Sequence, residues 1–197
     1  MAATRARPAA PGSEGSHPAA APAAGGLRRL AAGLAALDLA GLRLARTLAH
    51  APAAERAVRS YSQLGQHGAC WLALGAAGAT LDPARRRRWR RATLAVGAAY
   101  AANQALKLVV RRPRPQLADL PPLIATPTQL SFPSAHAATS VAAVHAFGNL
   151  LPRAPLSAAA VAMTASRLYL GVHYPSDIVA GVALGATIGK LGPTRRR

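Results

Sequence analysis

Three short stretches of this 197-residue sequence combine side chains that bind or attack anions. In the first, Lys107 is followed by Arg112-Pro113-Arg114-Pro115, where proline removes backbone donors and clashes with the preceding turn, so a helix must stop there. Lys107 and Arg114 are seven apart, and one helix end can present both to a single anion, the ammonium as a point charge and the guanidinium as paired donors. The second stretch, Phe132-Pro133-Ser134-Ala135-His136, directly precedes an apolar run. Ser134 is placed as an N-cap, so free backbone N–H groups and the positive end of the helix dipole face outward, an arrangement that binds phosphate, with His136 beside it. The third runs from Ser166-Arg167 to His173-Tyr174-Pro175-Ser176-Asp177. An arginine inside an apolar helix is costly unless it faces a partner in the bundle, which makes Arg167 a site candidate. His173 and Asp177 are four apart across a turn, so the carboxylate can accept a hydrogen bond from one ring nitrogen and aim the other at a substrate. Taken singly, these stretches have plainer readings: a lipid-headgroup anchor, an interfacial histidine, and a His–Asp pair capping a helix start. The last of these leaves Arg167 unexplained.

Positioning such groups requires elements that bring the stretches together. Five apolar segments are expected, at about 68–81, 92–110, 137–151, 156–172 and 178–191. If they cross a bilayer in turn, the end of the second, the start of the third, the end of the fourth and the start of the fifth emerge on one face. That face gathers Lys107, Arg114, Ser134, His136, Arg167, His173 and Asp177, while residues 85–91, Arg153, Lys190 and 195–197 fall on the other. Several segments are shorter than the roughly 20 residues that span a bilayer core, and alanine contributes little to insertion. Gly181, Gly185 and Gly189 form a ladder at four-residue spacing that suits close helix packing in lipid and would weaken a helix in water. The alternative is a soluble alanine-rich bundle.

Composition narrows the partners. The chain is 51% hydrophobic yet carries 24 Lys and Arg against 6 Asp and Glu, a net charge of +18 that points to phosphate groups, acidic lipid surfaces or nucleic acid. The basic residues come in bursts between nearly uncharged stretches, and aromatics are only 4%, so the continuous basic stripe and base-stacking groups of a nucleic-acid binder are missing. Such bursts match the water-exposed ends of membrane helices. Residues 27–62 carry leucines at helical spacing interrupted by Asp38, Arg43, Arg46 and Arg56, and are expected as interfacial amphipathic helices divided at Pro52, or as a soluble helical hairpin. Residues 1–26, rich in Ala, Pro, Gly and Ser, are expected to be a disordered tail without the pattern of a secretory signal. The domain is therefore expected over 27–197, with its membrane core at 68–192. The density of positive charge near 85–91 places that face in the cytoplasm and the site outside, although an N-terminal region rich in arginine would then have to cross the membrane. The single cysteine, Cys70, allows no internal disulfide.

In order and spacing, Lys107 with Arg114-Pro115, Pro133-Ser134-Ala135-His136, and Ser166-Arg167 with His173 and Asp177 resemble the tripartite signature of the type 2 phosphatidic acid phosphatase superfamily, which also includes vanadium haloperoxidases and bacterial acid phosphatases. The resemblance runs from about Asp38 to Gly192, and departs at Ala135, where the pattern most often has glycine. It implies an all-α, integral-membrane helical bundle of about five transmembrane helices preceded by interfacial helices. It further implies a plasma-membrane phosphatase of lipid-linked phosphates that uses no metal and no other cofactor. By the same resemblance Lys107, Arg114 and Arg167 bind the phosphate, Ser134 and the amide of Ala135 hold one oxygen, His173 is the nucleophile, Asp177 orients it, and His136 protonates the leaving oxygen. A narrower resemblance, carried by Leu120-Pro121-Pro122 and the run from Thr126 to Phe132, is to the actinobacterial decaprenylphosphoryl-5-phosphoribose phosphatases of cell-wall arabinan precursor synthesis. Undecaprenyl pyrophosphate and phosphatidylglycerol phosphate remain alternative substrates. A soluble relative and a basic non-enzymatic binding protein remain alternative classes.

Overall fold

The structure, a computed structural model, describes residues 22–48 and 50–190. The chain divides into two compact units, residues up to 35 and residues from 36 onward. Helix α1 (Pro22–Thr47) runs through that boundary. The second unit continues with α2 (Pro52–Leu64), a 3-10 turn (Gln66–Gly68), α3 (Ala69–Leu81), α4 (Arg86–Val110), α5 (Ala135–Phe147), α6 (Arg153–Tyr169) and α7 (Pro175–Lys190). Among the described residues the only β pairing is an isolated antiparallel bridge between Pro113 and Leu130, which pins the long loop between α4 and α5.

Each boundary has a local cause. Pro52 starts α2 at a position where its missing N–H costs nothing. Arg111, at φ 52°, ends α4 directly ahead of the Arg112-Pro113-Arg114-Pro115 run. Ser134 caps α5, its hydroxyl accepting the Ala137 N–H at 3.4 Å. Most of the tail expected over 1–26 lies outside the described residues, and 22–26 belong to the start of α1.

Helix α5 is the hub, packed against α4, α6 and α7. Its Ala137, Ala138, Ala142 and Ala143 are fully buried, and Phe147 joins Trp71, Trp89, Val96 and Leu156 in one apolar cluster. The glycine ladder of α7 lies directly on the α5 backbone. A Cβ would stand 2.6 Å from the Ser134 carbonyl oxygen at Gly181, 2.3 Å from that of Ala138 at Gly185, and 2.9 Å from that of Ala142 at Gly189. Only glycine allows the two helices to come this close, and the approach carries the first turn of α7, with Asp177, to the start of α5. There the Ser134 N–H donates to the Asp177 carbonyl at 2.9 Å.

The five expected segments coincide with α3 to α7. Among the described residues no helix is long and apolar enough to cross a membrane. Helices α3, α5, α6 and α7 have 13, 13, 17 and 16 residues, so at about 1.5 Å per residue they reach roughly 20 to 26 Å against a hydrocarbon core near 30 Å. Helix α4 has 25 residues but opens with five arginines around Trp89 and closes with Lys107.

Candidate active site

The end of α4, the start of α5, the end of α6 and the turn before α7 meet around one pocket. Lys107, Arg114, Ala135, His136, Arg167 and His173 all line it. Two expected members stand behind it: Ser134 and Asp177 are fully buried and are not among the lining residues. The Ser134 hydroxyl serves as the α5 cap, and Asp177 acts on its neighbours.

Each cation is anchored by protein oxygens, carbonyls for Lys107 and Arg114 and a hydroxyl for Arg167, yet keeps donors to spare. Lys107, in the last turn of α4, donates to the Leu130 and Ser131 carbonyls at 3.0 Å each, which leaves one of its three N–H groups. Arg114 is gripped between loops: its Nε donates to the Thr128 carbonyl at 2.8 Å and one terminal nitrogen donates to the Val172 carbonyl at 2.6 Å. Burial holds this guanidinium at about 10, well below its ordinary value. Arg167, only 4% exposed, donates to the Ser62 hydroxyl, while its Nε is buried without an acceptor. An orphaned, buried N–H is costly and uncommon, so its presence beside two other cations calls for an anion there.

Hydrogen bonding assigns different roles to the nitrogens of each histidine. Arg114 donates to His173 Nε2 at 3.1 Å, and an arginine can only donate, so Nε2 carries the lone pair. His173 Nδ1–H then faces Asp177 Oδ2 at 3.4 Å. His173 is 2% exposed, and its pKa is pushed well below the ordinary histidine value, first by burial and then by Arg114, Arg167 and Lys107. The imidazole is therefore neutral, with an unprotonated nitrogen among the cations. His136 Nε2 lies 2.9 Å from the Ser62 carbonyl, which can only accept, so Nδ1 is left to exchange a proton with a substrate.

Asp177 is held in turn by residues that the sequence did not single out. Its Oδ2 accepts the Tyr174 N–H and its Oδ1 accepts from Arg112, both at 2.9 Å. Arg112 reaches Asp38 of α1 with its other terminal nitrogen at 2.8 Å and lies 4.1 Å from the centre of the Tyr174 ring. Asp38 also accepts the Ser176 N–H at 2.8 Å and the Ser176 hydroxyl. Burial alone would raise its pKa, but the bonds from Ser176 and Arg112 hold the carboxyl below the usual range. Asp38 and Arg46, expected as charges interrupting an interfacial helix, are both buried: Arg46 donates to the Pro121 and Tyr169 carbonyls at 2.8 and 3.2 Å. Ser62 is likewise new, its carbonyl serving His136 and its hydroxyl Arg167. No sequence signal marks such a serine, whereas an aspartate on an apolar helix carries the same signal that marked Arg167.

Both the sequence and the fold have known relatives. The chain is 45% identical to the decaprenylphosphoryl-5-phosphoribose phosphatase of Mycolicibacterium smegmatis over 138 residues, 68% of this chain and 74% of that protein. Its fold is similar to that of the transmembrane PAP2 type phosphatidylglycerolphosphate phosphatase from Bacillus subtilis, with a TM-score of 0.67, 24% identity, and coverage of 84% of this chain and 89% of that one. It is also similar to Aquifex aeolicus LpxE, with a TM-score of 0.68, 24% identity, and coverage of 79% and 93%. The family model described as PAP2 superfamily matches residues 88–195, taking in all three stretches, and the chain belongs to that superfamily.

Proposed function

We propose that this chain is a lipid-phosphate phosphatase that removes the terminal phosphate of a polyprenyl-linked phosphosugar, decaprenylphosphoryl-5-phosphoribose, through a phosphohistidine. The observation that carries the reading is the buried, unpartnered Nε of Arg167 in a pocket shared with Lys107, Arg114 and the neutral His173. A phosphate there takes hydrogen bonds from all three cations, a preorganised field for the charge that develops on the transferring group. His173 Nε2 attacks phosphorus, the bond to the ester oxygen breaks, and His136, which holds a proton once the negative charge of the bound phosphate lies beside it, gives that oxygen its proton. Neutral His136 then takes a proton from water, which attacks the phosphohistidine and releases phosphate and free His173. Asp177 keeps Nδ1–H in place throughout. Ser134 positions the start of α5, whose Ala135 lines the pocket.

The sugar-lipid substrate is supported by the relative from Mycolicibacterium smegmatis, 45% identical over most of its length. Embedding in the cell membrane is supported by the outward apolar residues Leu94, Leu108, Val109, Val161 and Val179, between 68% and 78% exposed. In this reading residues 27–62 lie along the interface, the short helices sit where the bilayer thins around them, and the site faces outward. Two measurements test the proposal. The protein should leave membranes with detergent and stay with them in high salt, and release by salt alone contradicts embedding. Purified protein should release phosphate from decaprenylphosphoryl-5-phosphoribose with chelator present, and His173→Ala should lower kcat at least a thousandfold. Wild-type turnover in that variant removes His173 as nucleophile.

A further inference from the structure

The pocket does not end at the phosphate site. Beyond the cations its wall has two parts: residues 124–128 of the long loop, and a set of polar side chains, Gln63 and Gln66 around the end of α2, Gln104 on α4, and the paired His67 and Tyr100. None of the three glutamine amides has a hydrogen-bond partner within the described residues, although each offers two donors and an acceptor. His67 is held at φ 56° and ψ 16°, a conformation rarely adopted by residues other than glycine, and its Nδ1 lies 2.7 Å from the Tyr100 hydroxyl.

Gly65 places this wall relative to the chemistry. A Cβ there would stand 2.8 Å from Cδ2 of His136 and 2.4 Å from the sulfur of Met163, so the turn that carries Gln63 and Gln66 lies directly against the His136 ring. His136 meets the leaving oxygen in the proposed mechanism. The Gly65 contact is on the Cδ2 edge of the ring, away from Nδ1, and Gln63, Gln66 and Gln104 line the same pocket as His136, so the alcohol half of the ester shares its space with the glutamines. A charged wall would suit a second phosphate, and Ile124, Ala125 and Pro127 of the loop suit apolar atoms of the substrate. Unpartnered amides with both donors and acceptors suit neighbouring hydroxyls, which also donate and accept.

We infer that Gln63, Gln66 and Gln104, with the His67–Tyr100 pair, form a subsite for the hydroxyls of a sugar in the leaving group. This rests on the proposed phosphosugar substrate and assigns the residues that select it. The test compares kcat/KM for decaprenylphosphoryl-5-phosphoribose and for dodecyl phosphate, which has no sugar, in the full-length protein and in Gln66→Ala and Gln104→Ala. Because both substrates are read on one preparation, any loss of folded protein cancels in the ratio. The ratio should favour the sugar substrate in the wild type and fall at least tenfold in each variant. A wild-type preference that both variants keep overturns the subsite and leaves the phosphatase reading standing. A wild type that cleaves dodecyl phosphate but not the phosphoribosyl lipid overturns the substrate reading, and the subsite with it.

Discussion

At His173 the two ring nitrogens have different partners, and that difference decides which one can react. Arg114 holds Nε2 as an acceptor while Asp177 faces the Nδ1 proton, so the lone pair and the positive field lie on the same side of the ring. Burial and the three cations disfavour the imidazolium, so the reactive neutral form persists as the pH falls, below the roughly 6.5 at which an ordinary histidine protonates. The histidine NMR signal that vanishes in His173→Gln should remain in its neutral position down to pH values below 6.5, and protonation at or above that value contradicts the assignment. One residue further out, Arg112 divides its donors between Asp177 and Asp38. In Asp38→Asn the guanidinium bears more fully on Asp177, whose grip on Nδ1–H weakens. We expect kcat to fall about tenfold, roughly 1.4 kcal/mol of transition-state stabilisation, with KM within threefold. An equal rise in KM contradicts a positioning role. The groups proposed as catalytic could be picked out in the sequence because each sits in a short stretch of unusual chemistry. Asp38 carried the signal of a charge on an apolar helix, but its role was not legible, because its partners lie 74 and 138 residues away in the sequence.

Helices α5 and α7 show how small residues set the site's geometry. With no side chain at Gly185, the α5 backbone comes to within 2.3 Å of where a Cβ would stand, and that contact brings Asp177 to the cap of α5. Gly185→Ala meets rigid backbone rather than a yielding side chain. It should cost about 1–3 kcal/mol, seen as a lower thermal midpoint, and should reduce activity by shifting α7. Gly97→Ala is the control: nothing lies within 4 Å of its Cβ, so it should leave stability unchanged or raise it by up to about 1 kcal/mol. Wild-type stability in Gly185→Ala contradicts the packing argument. The ladder was readable as a close helix contact because its four-residue period survives in one stretch of sequence. Its partner helix was not, since α5 offers only alanines that fit many neighbours equally well. The apolar segments located α3 to α7, and their short length was already readable, because alanine satisfies an apolar pattern without the length or hydropathy of a span.

In the whole molecule, three stretches spread between residues 107 and 177 close on one pocket, and the connection passes through groups that belong to none of them. Ser62 ties α2 to both His136 and Arg167, Asn103 holds the Pro133 carbonyl at 2.9 Å, and Asp38 brings α1 to the turn before α7. The sequence implied this convergence only through the alternation of apolar segments, an argument about which ends share a face. That argument locates the cations and the histidines together but says nothing about what braces them. The claim on which the account depends is that phosphate passes through His173 within this bracing. Rapid acid-free quenching of the protein mixed with phosphorus-labelled substrate, followed by peptide mapping, tests it directly. The account predicts an acid-labile, base-stable phosphoryl group on His173 in the wild type, and none in His173→Ala. Label on His136, or turnover with no labelled histidine at all, contradicts it.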